Sequence, residues 1–380
     1  MTFSFLASMN LKCGAGVAST LGDETRKLGF EKVVFVTDPG LRAAGVVDKA
    51  LHSLLEAEID TQVFDGVEPN PKDATIENAW DTLKTANPDA VIGFGGGSAM
   101  DTAKAMAVLS RNPGRLKDYD GVGKIGIDVL PVIAVPTTAG TGSEVTSNAA
   151  ITDAKQKYKM SLRSPGLIPV LAMLDPVLLA TLPSRIAAES SMDAIIHAAE
   201  SLVSNKANLV SQALSDQALG YLCPNIRPFV AARDNTPVAE KMLVGSMLAG
   251  VVIGNTGTGA DHALARALGG TYDLPHGLAC SLMFPYVVRF NFIACPEKYR
   301  LFAARLGLDV SHHHDSKVCD MLVDELFRLC ADLGIPTRLS EVGLSDLPIE
   351  DLAEIAQKNS GPNPRETTAR DLARLLEQAA

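Results

Sequence analysis

The sequence is short of positive charge, aromatic residues and long apolar runs, and each shortage excludes a class of partner. Its 380 residues carry 34 lysines and arginines against 44 aspartates and glutamates, which leaves a net charge of -10 at pH 7. This balance argues against nucleic acid or an anionic membrane surface as a partner. Aromatic residues make up 5% of the chain, with Trp80 the single tryptophan, so few side chains can stack on bases. No stretch has the ~20 consecutive apolar residues of a membrane span.

The six cysteines are scattered along the chain, and no two of them form a Cys-x-x-Cys pair. This spacing indicates reduced thiols rather than a disulfide framework or a zinc cluster. The first residues lack the basic region and the apolar core of a secretory signal. We therefore expect a cytoplasmic protein. The composition, 47% hydrophobic and 21% charged, is that of a globular enzyme, and the chain is long enough for two domains.

Strands and helices alternate through the first half of the chain, whereas helices alone follow about residue 182. The predicted strands are 33–37, 61–64, 90–94, 132–135 and 170–174, with helices at 41–56, 74–85 and 99–109 and a hairpin within 146–160. Such alternation predicts a parallel, Rossmann-like sheet with helices on both faces. The later segments have helical period. We expect an α/β dinucleotide-binding domain over 1–180 and an all-α domain over 181–380.

A glycine loop follows one of the predicted strands. Gly95, Gly96, Gly97 and Ser98 separate the strand 90–94 from the next helix. Glycines let a backbone approach a pyrophosphate closely, and a helix start offers free N–H groups with partial positive charge. The alternative is an ordinary tight turn. The absence of charged side chains from the preceding strand favours a phosphate site.

Two other strand ends carry polar residues, namely Asp38 and the loop 136–144. Ligands of open parallel sheets bind at the carboxyl ends of strands. A carboxylate at Asp38 can accept hydrogen bonds from both adenosine ribose hydroxyls and would repel a 2′-phosphate, which predicts NAD rather than NADP. The alternative role for Asp38 is a helix N-cap. The segment 14–19 approaches a dinucleotide fingerprint, but it precedes the first strand, and we interpret it as unrelated to nucleotide binding.

Histidine is rare in this chain, and three of its seven histidines fall into one pattern with an aspartate. Asp193 and His197 are four residues apart in a predicted helix and so share a face, and His262 and His276 follow later. One carboxylate with three imidazoles suits Fe(II) or Zn(II) better than calcium or magnesium. A lone Asp-x-x-x-His pair is more often a surface hydrogen bond, but the nucleotide loops favour a metal. The run 312–314 is expected to be a solvated loop or helix start.

Taken in order, these motifs resemble the iron-containing (group III) alcohol dehydrogenases over essentially the full length. The supporting segments are 36–38, 69–71, 95–104, 136–144, 159–160, 174–176, 193–198, 268–270, 275–277 and 363–365. The resemblance implies a dehydroquinate synthase-like architecture, with a nucleotide-binding domain, a helical metal-binding domain, a metal in the cleft and a homodimer or larger assembly. It also implies the interconversion of a small primary alcohol and its aldehyde with NAD and Fe(II), with Zn(II) able to replace the iron.

By this resemblance, two sets of residues acquire roles. The metal ligands would be Asp193, His197, His262 and His276. The cofactor-binding residues would be Asp38, Gly95, Gly96, Gly97, Ser98, Asp101, Thr137, Thr138, Thr141 and Lys159. Within the second set, the glycine loop would take the pyrophosphate.

Arg266 departs from the family pattern. Members commonly carry a histidine four residues after the third ligand, where it is thought to help move a proton, and an arginine cannot be a general base near neutral pH. Arg266 should share a helix face with His262, so we count it among the catalytic residues. A guanidinium there predicts a substrate that carries a carboxylate, sulfonate or phosphonate. The alternative is a structural pair with Asp261 or Asp273.

Three rival functions stay open at this point. A metal- and NAD-dependent lyase of the dehydroquinate synthase type would need phosphate-binding lysines and arginines, for which the sequence has few candidates. A polyol oxidase similar to glycerol dehydrogenase is expected to use one carboxylate and two histidines. A catalytically silent scaffold is opposed by the intact set of four metal ligands.

Overall fold

The computed structural model describes residues 2–7, 10–126, 128–156 and 158–380, which fold into two compact units. The α/β unit contains Ala7–Leu182 and Asp234–Leu243. The helical unit contains the described residues up to Leu6, together with Pro183–Arg233 and Val244–Ala380. All six cysteines are free, and five of them are buried.

Parallel strands form the main sheet of the α/β unit. They are β1 (Leu11–Cys13), β2 (Lys32–Val36), β3 (Asp60–Phe64), β4 (Ala90–Gly95), β6 (Val132–Pro136) and β9 (Leu171–Leu174), in the spatial order β1-β9-β6-β4-β2-β3. A smaller sheet contains β5 (Gly121–Val122), β7 (Asn148–Asp153) and β8 (Tyr158–Arg163). The predicted parallel sheet is confirmed, and so is the hairpin, since β7 and β8 are antiparallel. Because β4 pairs with both β2 and β6, the carboxyl ends of these three strands lie side by side.

Alternate residues of the central strands pack into two hydrophobic cores, one on each face of the main sheet. The helices of this unit are α1 (Leu21–Lys27), α2 (Pro39–Ala43), α3 (Asp48–Glu56), α4 (Asp73–Leu83) and α5 (Gly97–Arg111). Val34 and Val36 of β2 belong to the core that also contains Trp80 of α4. Val33 and Phe35 belong to the core that contains Leu54 of α3. Each central strand is therefore buried on both faces, as a parallel sheet covered by helices requires.

The single helix predicted over 41–56 is wrong. The segment contains two short helices, α2 and α3, joined by a turn at 44–47. Gly45 in that turn has a φ of +69°, which interrupts an α-helix. The apolar periodicity continues through the turn, which is why the sequence pattern did not reveal the break.

Helices make up the regular structure of the helical unit. They are α6 (Ser184–Val203), α7 (Leu209–Ala231), α8 (Thr236–Thr256), α9 (Ala260–Tyr272), α10 (His276–Asn291), α11 (Pro296–Arg305), α12 (Asp315–Asp332), α13 (Ile349–Lys358) and α14 (Ala369–Ala379). The first turns of α8, through Leu243, belong to the α/β unit. These bounds confirm the helical second half that the sequence predicted.

Two helical segments are long and apolar enough to span a membrane by length and composition alone. They are Thr236–Thr256 and His276–Ala294, each with a mean hydropathy of 1.4 over its most apolar window. Of these windows, 61% and 67% are buried within the fold. They are longer apolar segments than we expected from the sequence, but this degree of burial is typical of core helices, so they are weak evidence for a membrane span.

Candidate functional site

One face of α6 carries two carboxylates and an imidazole. Asp193, His197 and Glu200 occupy positions i, i+4 and i+7, which lie one above the other on an α-helix. The rest of the helix around them is mostly small or apolar and is buried. The three side chains are themselves buried, with exposures of 2%, 6% and 7%. An apolar helix therefore carries three polar groups into the interior of the helical unit.

Helices α9 and α10 bring two more imidazoles to this face. His262 lies in the first turn of α9, and His276 is the first residue of α10. Gly277 allows α10 to approach α6 closely, because a Cβ at this position would lie 2.4 Å from the backbone oxygen of Glu189. The close approach places His276 beside the polar face of α6.

The three imidazoles converge on one carboxylate oxygen. The Nε2 atoms of His197, His262 and His276 lie 3.6, 3.5 and 3.9 Å from Oδ1 of Asp193. These separations exceed hydrogen-bond lengths. They are close to the separation of about 3.4 Å between two atoms that bind one ion tetrahedrally at about 2.1 Å each. The structure thus brings together the four residues predicted as metal ligands.

Two atoms at the centre of this cluster are buried polar atoms with unmet hydrogen-bonding capacity among the described residues. Asp193 Oδ1 and His262 Nε2 are buried without a hydrogen-bond partner among the described residues, a condition that costs about 1–3 kcal/mol per group. Burial opposes the ionisation of Asp193, but the neighbouring histidines hold its pKa well below the ordinary value. A divalent cation would satisfy both atoms, and the mixed oxygen and nitrogen donors fit Fe(II) or Zn(II).

Glu200 contacts the other ring nitrogen of His262. Its Oε2 lies 2.8 Å from Nδ1 of His262 and accepts from the backbone N–H of Gly259 at 2.9 Å. Its Oε1 accepts from the N–H of Asp261 at 3.0 Å. Burial works against ionisation of Glu200, but the charge and hydrogen bond of His262 hold its pKa below the ordinary value. Burial alone would lower the pKa of His262, yet the acidic groups around it raise that pKa well above its usual range.

Two further buried groups near the cluster were not predicted. The Sγ of Cys280 lies 3.9 Å from Nε2 of His276, and burial raises the pKa of this thiol. The candidate ligand atoms of Asp193, His262, His276 and Cys280 all lie within 4.8 Å of one another. Both carboxylate oxygens of Asp261 are buried without a hydrogen-bond partner among the described residues. Helical spacing in the sequence could have pointed to Glu200 and Cys280, because each follows a predicted ligand by about one helical turn.

Arg266 follows His262 by one turn of α9 and is half-buried. Its Nη2 donates to Oγ1 of Thr258 at 3.0 Å. This bond fastens the guanidinium to the segment that precedes α9. A structural contribution is therefore present, and a role toward the substrate stays a prediction.

In the α/β unit, the glycine loop packs directly on the loop 136–144 after β6, which is called the threonine loop below. A Cβ on Gly97 would lie 2.7 Å from Cγ2 of Thr141, so no larger residue fits there without displacement. A Cβ on Gly96 would lie 3.4 Å from Cγ2 of Thr138. Residues 96–98 are half-exposed, as are Thr138 and Thr141, whereas Thr137 is buried. The first turn of α5 has no acidic residue, so this exposed helix start is suited to an anion.

Asp38 lies beside the glycine loop and also caps a helix. Its Oδ1 accepts from the N–H of Leu41 at 2.9 Å, which confirms the alternative role as N-cap, here of α2. A Cβ on Gly95 would lie 3.7 Å from its Oδ2. The carboxylate is therefore half-buried at the shared edge of β2 and β4. Its selection of NAD stays a prediction.

A buried lysine holds the threonine loop in place. Nζ of Lys104 donates to the backbone oxygens of Ser143, Thr146 and Asn148 at 2.6, 2.8 and 2.9 Å. Burial lowers the pKa of Lys104 to about 8, although Asp101 and Glu144 oppose the shift. Sequence analysis did not single out this residue because a lysine in an amphipathic helix is usually exposed.

The remaining predicted cofactor residues take part in loop contacts. Asp101 accepts from Oγ of Ser143 at 2.7 Å and from the N–H of Ala150 at 2.9 Å. Nζ of Lys159 donates to Oδ1 of Asn70 at 3.1 Å.

The segment 14–19, interpreted as unrelated to nucleotide binding, is bonded to another part of the chain. The N–H groups of Gly16 and Ala18 donate to Asp175 at 3.0 and 3.1 Å.

Family models match nearly the whole chain. Residues 9–176 match the model described as iron-containing alcohol dehydrogenase. Residues 187–380 match the model described as the C-terminal part of the Fe-containing alcohol dehydrogenase family. The two matches meet near the end of the main sheet and the start of α6.

Individual proteins are similar to this chain over almost its entire length. The 1,3-propanediol dehydrogenase of Citrobacter freundii is 37% identical over 96% of each chain. The sulfoacetaldehyde reductase of Bilophila wadsworthia (strain 3_1_6) is 35% identical over 99% of each chain. Among solved structures, the sulfoacetaldehyde reductase from Bifidobacterium kashiwanohense in complex with NAD+ superimposes with a TM-score of 0.90, at 28% identity, over 100% of this chain and 99% of that chain.

Proposed function

The chain belongs to the iron-containing alcohol dehydrogenase family, and we propose that it interconverts a short primary alcohol and its aldehyde with NAD(H) and one divalent ion. The observation that carries the proposal is the convergence of three Nε2 atoms on Oδ1 of Asp193. A dehydroquinate synthase-like lyase and a glycerol dehydrogenase-like oxidase account less well for one carboxylate with three imidazoles and for this family membership.

In the helical unit, the proposed ligands are Asp193, His197, His262 and His276. When bound, the ion supplies Lewis-acid polarisation of the alcohol or aldehyde oxygen, and the nicotinamide supplies hydride chemistry. The chain's own part is to hold the ligand atoms in place. The burial of Asp193 and His262 keeps water from competing for them.

In the α/β unit, the glycine loop would bind the pyrophosphate at the start of α5. Thr138 and Thr141 would line the cofactor with half-exposed side chains, and Asp38 would accept from the adenosine ribose. The carboxylate of Asp38 would also repel the additional phosphate of NADP. Lys104 and Asp101 would contribute indirectly, since both bind the loop that carries Ser143.

The proposed substrate is an aldehyde that carries an anionic group, with Arg266 as the recognition residue. Arg266 replaces the histidine common at this position and lies one turn after His262 in α9. An arginine cannot take a proton near neutral pH, so its contribution would be charge. The similarity to a sulfoacetaldehyde reductase supports this class of substrate. The similarity to a 1,3-propanediol dehydrogenase supports a neutral diol as the second candidate.

A substrate panel on the iron-loaded protein tests these proposals. NADH consumption is followed with propanal, succinic semialdehyde and a sulfonate analogue of similar length, and NAD+ reduction with 1,3-propanediol. A charge-assisted pair contributes about 1.5–3 kcal/mol, so kcat/KM for the acidic aldehydes should exceed that for propanal by about ten-fold or more. The absence of any metal-dependent NAD(H) turnover would refute the proposed activity as a whole.

Two substitutions of Arg266 separate charge from shape. Arg266→His should shift preference toward neutral substrates, whereas Arg266→Lys keeps the charge and should retain part of the acidic preference. If the wild type prefers propanal and Arg266→His leaves the ratio unchanged, Arg266 is structural and the neutral diol becomes the better candidate.

We extend the proposal to assembly and location. The family resemblance supports a homodimer or larger homo-oligomer, which sedimentation of the purified chain would test. The free thiols support a cytoplasmic location, in agreement with the five buried cysteines.

A further inference from the structure

Glu200 joins the metal-ligand cluster to the beginning of α9. It is 7% exposed, and both of its oxygens have partners. One oxygen contacts Nδ1 of His262 and the N–H of Gly259, and the other accepts from the N–H of Asp261. It therefore contacts Gly259, Asp261 and His262, within the segment that carries a proposed ligand.

We propose that Glu200 is a positioning residue, which holds His262 with its proton on Nδ1 and so leaves Nε2 for the metal. The inference rests on the proposed function, since it concerns the same metal site. It assigns to Glu200 a role that differs from that of the four ligands, because Glu200 acts on the metal through His262.

With a metal bound at Nε2, the hydrogen-bond chemistry requires this tautomer of His262. An ionised carboxylate can only accept, so the contact of 2.8 Å with Glu200 needs a donor at Nδ1. In a metal-binding neutral imidazole only one nitrogen carries a proton, and Nε2 must then present its lone pair. That Nε2 atom lies 3.5 Å from Oδ1 of Asp193 and has no hydrogen-bond partner among the described residues. Carboxylates that orient metal-bound histidines in this way raise the basicity of the ligand.

Glu200 also fixes the backbone from which the His262 ring projects. Gly259 is the N-cap of α9 and has no side chain that could cap the helix itself. Glu200 takes over that task, and a negative charge at a helix start is favourable. The beginning of α9 has a second anchor, because the N–H of Ala260 donates to Oδ1 of Asn363 at 3.3 Å. The second anchor should keep α9 folded when Glu200 is substituted.

Glutamine at position 200 would keep the shape but not the function. Its amide has one acceptor oxygen and one NH₂ donor group. If the oxygen faces Nδ1 of His262, the NH₂ group faces the N–H of Asp261, and two donors meet. The reverse orientation places the NH₂ group against Nδ1 and favours the wrong tautomer. Either orientation weakens the metal site without changing side-chain volume.

Zinc affinity of the full chain tests the inference, measured by competition with a chromophoric chelator. Loss of an outer partner of a metal ligand typically weakens metal binding about 10–100-fold, so Glu200→Gln should raise the Kd for zinc by that factor. The matched control is Asp175→Asn in the α/β unit. Asp175 is 2% exposed and accepts the N–H groups of Gly16, Ala18 and Val177. The control variant should lose thermal stability and retain the zinc Kd.

A measurement on the wild type does not depend on the Glu200→Gln variant. The long-range proton–nitrogen spectrum of the zinc-loaded protein should show an imidazole with a protonated Nδ1 and a metal-shifted Nε2. The resonance is assigned to His262 by its absence from a His262→Ala sample. A protonated Nε2 on this ring would overturn the inference, even if Glu200→Gln did not fold.

The remaining outcomes separate the two proposals. If the wild type binds one zinc per chain in a His262-dependent manner but Glu200→Gln binds it equally well, the positioning role is refuted and the metal site stands. Equal weakening by Glu200→Gln and Asp175→Asn would also refute it, because the effect would then reflect general stability. If the wild type shows no zinc binding that depends on His262, both proposals fail.

Discussion

In the helical unit, the groups proposed to bind the metal are side chains on three helices. Asp193, His197 and His262 are buried, whereas the side chain of His276 is 31% exposed. In the α/β unit, the groups proposed to bind the nucleotide are loop residues at the carboxyl ends of strands, and many are half-exposed. The difference follows from the ligands. A small cation requires several donor atoms within a few ångströms of one point, whereas a dinucleotide requires an extended surface that its phosphates and ribose can reach.

The two regions nevertheless share one structural feature. Each contains a buried charged side chain that organises the binding groups through hydrogen bonds to the backbone. Glu200 accepts N–H groups at the start of α9, and Lys104 donates to carbonyl oxygens of the loop after β6. The two regions should therefore respond independently to substitution, with loss of metal binding in one case and loss of nucleotide binding in the other.

The largest expected effect is that of removing a proposed ligand. His262→Ala should lower kcat/KM by roughly 10³-fold or more, because Lewis-acid stabilisation is worth several kcal/mol. Thermal stabilisation by added zinc should disappear as well. NADH affinity, measured by fluorescence titration, should not change, since the nucleotide loops belong to the other unit. Full turnover by this variant, or by thoroughly chelated wild type, would show that the site is not catalytic.

The corresponding substitution in the α/β unit is Lys104→Met, which keeps a similar side-chain volume and removes the charge. It would leave three carbonyl oxygens and the nearby Asp101 and Glu144 without their cation. Breaking one side of a buried charged network costs about 3–5 kcal/mol, which urea unfolding would measure. NADH should bind more weakly, and the zinc Kd should stay at the wild-type value. Unchanged stability together with unchanged NADH binding would contradict the role assigned to Lys104.

The residues proposed to bind the metal and the nucleotide are predictable from the sequence, whereas those proposed to position them are not. The four proposed ligands were predictable because histidines are few and because Asp193 and His197 are spaced to share a helix face. Glu200 lies on the same helix face, three residues after His197, but glutamate is common on helices, and its partners at 259–262 are distant in sequence. The glycine loop was predictable from its place after a buried strand. Its packing against Thr141 was not, since that contact depends on the pairing of β4 with β6.

A smaller effect concerns the pH dependence of the α/β unit. Burial raises the pKa of Glu144 from 4.5 to about 7. Between these values the folded state retains a proton that the unfolded state has lost, so the free energy of unfolding falls as pH rises, and it levels off above the folded pKa. The total loss should be on the order of 3 kcal/mol. In Glu144→Gln this part of the pH dependence should vanish.

Urea unfolding of both proteins at pH values of about 4.5, 6 and 7.5 measures this difference, because these values span the interval between the unfolded and folded pKa of Glu144. The lowered pKa of Lys104 makes stability depend on pH only between about 8 and 10.5, so it should add little slope to these measurements. Parallel curves for the wild type and Glu144→Gln would show that Glu144 is ionised throughout.

The smallest expected effect concerns cofactor choice. It tests whether Asp38 of the α/β unit selects NAD over NADP by charge, just as Arg266 of the helical unit is proposed to select an anionic substrate. Asp38→Gly should raise the ratio of kcat/KM for NADP over NAD by about ten-fold, equivalent to about 1.4 kcal/mol, because the carboxylate that opposes the 2′-phosphate is lost. Asp38 also caps α2, but glycine at an N-cap costs only a few tenths of a kcal/mol. Asp38→Asn is the matched control, since it keeps the cap and removes only the charge. Both variants should relax cofactor preference, and the asparagine variant should do so without loss of stability. Equal kcat/KM for the two cofactors in the wild type would leave Asp38 with its capping role alone.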